Sequence, residues 1–299
     1  MRIGITGASG FIGRRLTAAL RAEGHAVVPV TRRAGVPGAV WWDPVAGRID
    51  ASGLEGLDAA VHLAGESVSG RWTARKKQRI VESRVRGTDL LARTLAGLAR
   101  RPGCLISVSG VNYYGARAPD DAVEEGSPAG AGFLASLAVA WEGATAPVEA
   151  AGIRLVRARM GLVIGRGGGA IAVMLPLFQI GLGGSIGSGR QVVSWIALDE
   201  IAPAMLHVLA TPALRGPVNF VAPEPVPFAE LARALGHALH RPTLFTVPAF
   251  AARLALGEMG EEMVLSGVRV VPRRLLETGY RFRFPELTGA MEHALGGRD

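Results

Sequence analysis

Seven residues near the start of the chain, Gly7-Ala8-Ser9-Gly10-Phe11-Ile12-Gly13, constrain it more than any others. Ahead of them runs a short apolar segment of strand type, Arg2-Ile3-Gly4-Ile5-Thr6. Behind them the apolar period turns helical, with Phe11, Ile12, Leu16, Ala19 and Leu20 on one stripe. A strand, a tight glycine turn and a helix start together form an anion cradle. Backbone N–H groups and the positive end of the helix dipole point at the turn, so a pyrophosphate fits there. The glycines divide the work: Gly7 for the sharp turn, Gly10 for close approach of backbone to phosphate, Gly13 for packing of helix on strand. A glycine triplet alone is weak evidence; one flanked by the required strand and helix is strong.

The next strand, Ala26-Val27-Val28-Pro29-Val30, ends in Thr31-Arg32-Arg33. This tip lies about 20 residues past the glycines, where an NAD-binding unit places Asp or Glu on the ribose 2′-hydroxyl. No acid stands here. A carboxylate repels a 2′-phosphate and a guanidinium binds it. The expectation is therefore NADP(H) over NAD(H), with Thr31 and Arg32 at the contact. The alternative is that Arg32 and Arg33 are solvated loop charges.

With 299 residues, 49% of them hydrophobic, the chain is long enough for a large core. No apolar run reaches the length of a membrane span, so no membrane association is expected. The chain opens on a core strand, which leaves no expectation of a signal peptide. Cys104 is the single cysteine, and a cytoplasmic location is expected. The net charge of +8 raises the question of nucleic acid. The arginines are scattered without an interleaved aromatic stripe, so no nucleic-acid partner is expected. A small-molecule substrate is the expected partner, and a homodimer the expected assembly if any. No metal site is expected.

Strand-like and helix-like segments alternate through most of the chain. That pattern predicts an α/β fold, a Rossmann-type doubly wound parallel sheet with a smaller C-terminal substrate lobe. Residues 1–165 are assigned to the cofactor domain, with 191–222 returning to it; residues 166–190 and 223–299 form the smaller lobe. Leu57 to Gly65 reads as a buried strand. In such sheets ligands lie beyond the carboxyl ends of the strands, so Leu63, Ala64, Gly65 and Glu66 are expected to border the cofactor. His62, inside the apolar run, reads as a core histidine rather than a catalytic one. A long helix is predicted over about 76–98, a core strand over 105–109, a polar loop to Gly132, and one helix over 133–150.

Several of these segments carry a resemblance. Gly7 to Gly13, the strand ending at Gly65, Arg84-Val85-Arg86-Gly87-Thr88, Ser107-Val108-Ser109 with Tyr114-Gly115, and Trp195 to Asp199 resemble the motifs of extended short-chain dehydrogenases, which include sugar-nucleotide epimerases and dehydratases. Ala64-Gly65-Glu66, Tyr113-Tyr114-Gly115, Trp141-Glu142, Gly187-Ser188-Gly189-Arg190-Gln191 and Pro272-Arg273-Arg274-Leu275-Leu276 are similar to the atypical subgroup of epimerase family proteins of the SDR39U1/YfcH type. The resemblance covers nearly the whole chain.

The departures matter as much. The wider superfamily uses a Tyr-x-x-x-Lys pair one helix after the serine strand, the tyrosine exchanging a proton and the lysine lowering its pKa. Here the segment reads Phe133-Leu134-Ala135-Ser136-Leu137. Arg84 occupies the position of the family's asparagine, where the resemblance implies a contact to ribose or pyrophosphate. Of the usual catalytic set Ser109 remains. Tyr114, just past it, is the candidate replacement proton donor. Tyr113, Gln191 and Trp195 are the candidate substrate-cleft residues. Two readings stay open: an NADP(H)-dependent oxidoreductase or epimerase-like enzyme with a non-standard site, and a non-catalytic NADP(H)-sensing or regulatory protein.

Overall fold

The computed structural model describes residues 1–296. Eight strands build the central sheet: β1 (Arg2–Thr6), β2 (Ala26–Thr31), β3 (Val40–Asp43), β4 (Arg48–Ile49), β5 (Ala59–His62), β6 (Cys104–Gly110), β7 (Arg154–Met160) and β8 (Gly216–Phe220). Their order across the sheet is β8-β7-β6-β5-β1-β2-β3-β4. All neighbours run parallel except the edge pair β3–β4. Order reverses at β1, so the crevice between β1 and β5 is the switch point where such sheets bind ligands.

Residue alternation explains why both faces are covered. Ile3 and Ile5 of β1, Ala59 and Val61 of β5, and Cys104, Ile106 and Val108 of β6 point to one face. There they meet Leu16 and Leu20 of helix α1 (Phe11–Ala22) and Ile201, Met205 and Val208 of a late helix over Leu198–Ala210. Ala60 and Leu105 point the other way, onto Leu91 and Leu95 of α2 (Ala74–Gly97). Each fully buried Leu or Ile contributes about 1.5–3 kcal/mol, so the two clusters hold the sheet between its helices. Thr73 caps α2 by accepting from the Lys76 N–H at 3.2 Å.

Two expectations need adjusting. The helix predicted over 133–150 is two helices, α3 (Phe133–Gly143) and a short turn at Ala146–Ala150 with Pro147 inside its first turn. The glycine-rich stretch after Gly181 contains a strand, Gly184–Ile186, paired in parallel with Phe245–Val247. This pairing ties residues of the 166–190 segment to the C-terminal part. Gly184 permits it: a Cβ there would lie 1.7 Å from the Phe245 carbonyl oxygen. Among the described residues no helix is long and apolar enough to cross a membrane, and no cluster of metal-ligating side chains occurs.

Candidate active site: a dinucleotide cleft and an adjoining cavity

The β1–α1 turn has the geometry its glycines imply. Gly7 sits at φ +68°, and a Cβ on it would lie 3.1 Å from the Ala64 nitrogen. A Cβ on Gly13 would lie 2.1 Å from the Gly7 carbonyl oxygen, so only glycine lets α1 pack this close to the turn. Gly10 donates its N–H to the Gly7 carbonyl at 2.9 Å and stands at the cap of α1. No acidic residue occupies the first turn of that helix, so its dipole is free to favour an anion.

A cleft of about 660 Å³ runs from this turn over the ends of β1, β2 and β5. Gly7, Ser9, Thr31, Arg32, Leu63, Ala64, Gly65 and Glu66 all line it, so the structure gathers most of the expected cofactor residues on one surface. Two arginines join them: Arg33 from the strand tip and Arg21 from the end of α1. The guanidinium groups of Arg21, Arg32 and Arg33 make no ion pair or hydrogen bond among the described residues; the Arg33 backbone N–H donates to Thr31 Oγ1 at 3.2 Å. Glu66 pairs with Lys76 at 3.1 Å and Arg79 at 3.5 Å. The bond from Lys76 holds its carboxyl below the usual range.

Arg84 lies beneath the strand tip instead of lining the cleft. Its Nη1 donates to the Glu66 carbonyl at 2.8 Å, and the guanidinium stacks on Trp141 at 4.9 Å. Burial lowers its pKa to about 10, with Glu66 opposing, so it stays cationic at neutral pH. It props the Gly65-Glu66 backbone from behind. His62 is fully buried, as expected for a core histidine. Thr6 Oγ1 already accepts the Leu63 and Ala64 N–H groups at 3.1 and 3.2 Å, so it donates to His62 Nδ1 at 2.7 Å. The proton then sits on Nε2, which faces Thr88 Oγ1 at 2.9 Å. Burial, with Arg84 adding, lowers this imidazole to about 4.

Phe11 and Ile12 line a second cavity of about 370 Å³, on the other side of the turn from the arginines. It lies between the ends of β6 and β7, the start of α3 and the C-terminal lobe, with Asn112, Leu134, Met160, Gln191, Glu262 and Met263 on its walls. Gln191 is there, as expected, with its Nε2 donating to the Ile186 and Val264 carbonyls at 3.0 Å each. Glu262 reaches across from the C-terminal lobe to accept the Phe133 and Leu134 N–H groups at 2.7 and 2.8 Å, capping α3 where the family's tyrosine stands.

The candidate catalytic and aromatic cleft residues are elsewhere. Ser109 is buried and donates to Glu142 Oε1 at 2.8 Å. Tyr114 is fully buried; it donates to Asn219 Oδ1 at 2.7 Å and accepts from Arg159 Nη1 at 3.0 Å. Arg159 holds Glu142 through Nε and Nη2, both at 2.8 Å, and its guanidinium lies 3.4 Å over the Tyr113 ring. The network ends at Glu125, whose Oε1 accepts the Asn219 and Arg274 N–H groups. Glu125 Oε2 is buried without a partner, and burial pushes its carboxyl above the usual range.

Burial also raises the Tyr114 phenol, the opposite of what a proton donor needs, with Arg159 only opposing. Neither Ser109, Tyr113 nor Tyr114 lines either cavity. Trp195 is fully buried as well, its indole donating to the Glu224 carbonyl at 2.9 Å, because its neighbours on paired short strands turn it into the C-terminal core. These four positions serve packing and polar satisfaction. Sequence reasoning missed Arg21 and Asn112, and the only signal for either was proximity in sequence to recognised motifs.

The NAD dependent epimerase/dehydratase family matches residues 3–221. This chain belongs to that family. A domain of unknown function shared with other proteins matches residues 247–294. Among family members, an epimerase family protein of Mycobacterium tuberculosis, MT2273, is 41% identical over 296 residues, covering 98% of this chain and 97% of its own. The crystal structure of human epimerase family protein SDR39U1 (isoform 2) with NADPH superposes with a TM-score of 0.90 at 36% identity, covering both chains fully. A nucleoside-diphosphate sugar epimerase from Corynebacterium glutamicum superposes with a TM-score of 0.81 at 33% identity; 99% of this chain matches 58% of that one.

Proposed function

We propose that this chain binds NADP(H) and exchanges hydride with a small ligand held in the adjoining cavity. The observation that carries the cofactor reading is the trio Arg21, Arg32 and Arg33, lining the cleft without ion-pair partners among the described residues. Three free guanidinium groups beside an anion cradle suit a 2′-phosphate and would be wasted on a 2′-hydroxyl. The cradle suits a dinucleotide: a Cβ on Gly13 would collide with the Gly7 carbonyl, and one on Gly7 would crowd the Ala64 backbone at a positive φ. The NADPH named with the human relative supports the same reading.

In this reading Gly7 to Gly13 and the N-terminus of α1 hold the pyrophosphate, and the arginines hold the 2′-phosphate. Leu63 to Glu66 flank the cleft, with Arg84 fixing the Glu66 carbonyl. Bound nicotinamide supplies hydride chemistry. Phe11 and Ile12 follow the cradle in the chain and line the second cavity; their apolar side chains would shield that end from water. No proton is routed through Ser109 or Tyr114, since both hydroxyls are committed inside the buried network. That same commitment favours a second reading, a non-catalytic NADP(H) sensor that kept the fold and lost turnover.

Fluorescence titration with NADPH and NADH tests the cofactor. Arg32→Ala is expected to weaken NADPH by about tenfold, as loss of one charge-assisted bond does, and to leave NADH unchanged. Equal affinity for both dinucleotides in the natural protein overturns the assignment. Following NADPH absorbance with a carbonyl panel then separates the two readings: sustained oxidation supports exchange, and tight binding without oxidation supports sensing.

A further inference from the structure

The second cavity has a composition that discriminates between ligand classes. No lysine, arginine or histidine lines it, among the described residues. Its one ionisable side chain, Glu262, is negative and already caps α3. Most of its walls are apolar, including Phe11, Leu134, Met160, Val193, Phe228 and Met263. A diphosphate placed against such walls would meet no cationic side chain and one carboxylate, so desolvating it there goes uncompensated. The contrast with the neighbouring cleft is sharp, since three free guanidinium groups stand there.

The polar groups of the cavity narrow the class further. Gln191 spends both Nε2 hydrogens on the Ile186 and Val264 carbonyls. Ser194 donates to the Val268 carbonyl at 2.8 Å and accepts the Val270 N–H at 2.9 Å. Ser266 donates to the Glu261 carbonyl at 2.7 Å. Among the described residues Gln191 Oε1 is left without a partner, and the side-chain amide of Asn112 is the one lining group with neither its oxygen nor its nitrogen hydrogen-bonded. A volume of about 370 Å³ sits at the small end of the ~300–1,000 Å³ range of ligand pockets.

We propose that this cavity receives a small, uncharged and largely apolar molecule with one carbonyl or hydroxyl oxygen, oriented by the Asn112 amide, and that it excludes nucleoside diphosphate sugars. The placement of this ligand beside the nicotinamide rests on the NADP(H) reading above; the ligand's chemistry rests on the cavity walls alone.

The test uses the full-length protein saturated with NADP⁺ and labelled at its methionine methyl groups. Met160 and Met263 line the cavity and report on it directly. Cyclohexanone and 2-heptanone are titrated in one series, UDP and UDP-glucose in another. The ketones are expected to shift the Met160 and Met263 signals saturably, and the uridine compounds to leave them unmoved. Asn112→Leu is expected to weaken ketone binding about fivefold to tenfold, and Asn112→Asp, which keeps the side-chain shape, to weaken it as well. Saturable shifts of those two signals by UDP or UDP-glucose overturn the proposal. So does the absence of any shift with both ketones. NADPH fluorescence on cofactor-free protein reads the cofactor independently: ketone shifts without NADPH binding there would refute the cofactor reading and leave the cavity chemistry standing.

Discussion

Replacing Glu142 by Gln tests whether the Ser109–Glu142–Arg159–Tyr114 cluster is a structural device. The carboxylate lies between α3 and β7 and is 8% exposed; Arg159 is 3% exposed. Both carboxylate oxygens accept from Arg159 at 2.8 Å, and Ser109 adds a third bond. Glu142→Gln keeps the shape and removes the charge, so Arg159 is left buried without its counter-ion. Breaking such a pair costs about 3–5 kcal/mol, a large share of a typical total stability of about 5–15 kcal/mol. At about 2–4 °C per kcal/mol for a large domain, the melting temperature falls by roughly 6–20 °C. Ser109→Ala leaves the ion pair intact and costs about 1 kcal/mol. Urea unfolding followed by circular dichroism reads both variants, and NADPH titration on the folded fraction reads the cleft. NADPH affinity is expected to stay unchanged, because the cluster lines neither cavity. A loss below about 1 kcal/mol in Glu142→Gln would mean that the pair is not desolvated as its geometry indicates.

Other predictions follow from single contacts. Gly13→Ala places a methyl 2.1 Å from the Gly7 carbonyl oxygen; overpacking of this kind costs about 1–3 kcal/mol, and NADPH titration is expected to show the cradle spoiled more than stability is lowered. His62 has a folded pKa of about 4 against 6.5 unfolded, so the unfolded chain binds the extra proton between those values. Stability is therefore full above pH 6.5 and falls by about 3 kcal/mol as pH drops toward 4; a His62→Gln variant that keeps the same slope over that window would contradict the assignment. Glu262→Ala strips the cap from α3, expected to cost about 0.5–2 kcal/mol and to speed hydrogen exchange at the Phe133 and Leu134 amides, and protection equal to that of the natural protein would show that the clamp is not made in solution.

The fold was legible because its signals are local. Alternation in Ile3, Ile5 and Val61, and the switch to helical period at Phe11, are written within a few residues and follow from backbone geometry. The cofactor cradle was legible for the same reason. The single helix read over 133–150 was not, because the helical pattern continues through the break and Pro147, which starts a new helix, is also compatible with a first turn. Tyr114 looked like a proton donor from its place after Ser109. What the sequence could not say is that Arg159, 45 positions later, lies beside that phenol, or that Asn219 accepts from it.

By itself, the order of residues determined the sheet, the glycine turn and the absence of a Tyr-x-x-x-Lys pair, since each depends on neighbours along the chain. Only the tertiary structure decided which polar groups face a cavity and which are buried. Strands β6, β7 and β8 bring Ser109, Arg159 and Asn219 side by side, and Glu142, Tyr114 and the Val271 carbonyl take up their hydrogen bonds. The same packing sets Arg21 beside Arg32 and leaves the Asn112 amide facing empty space. The free energy of a polar group depends on what surrounds it, and that is a property of distant residues brought together.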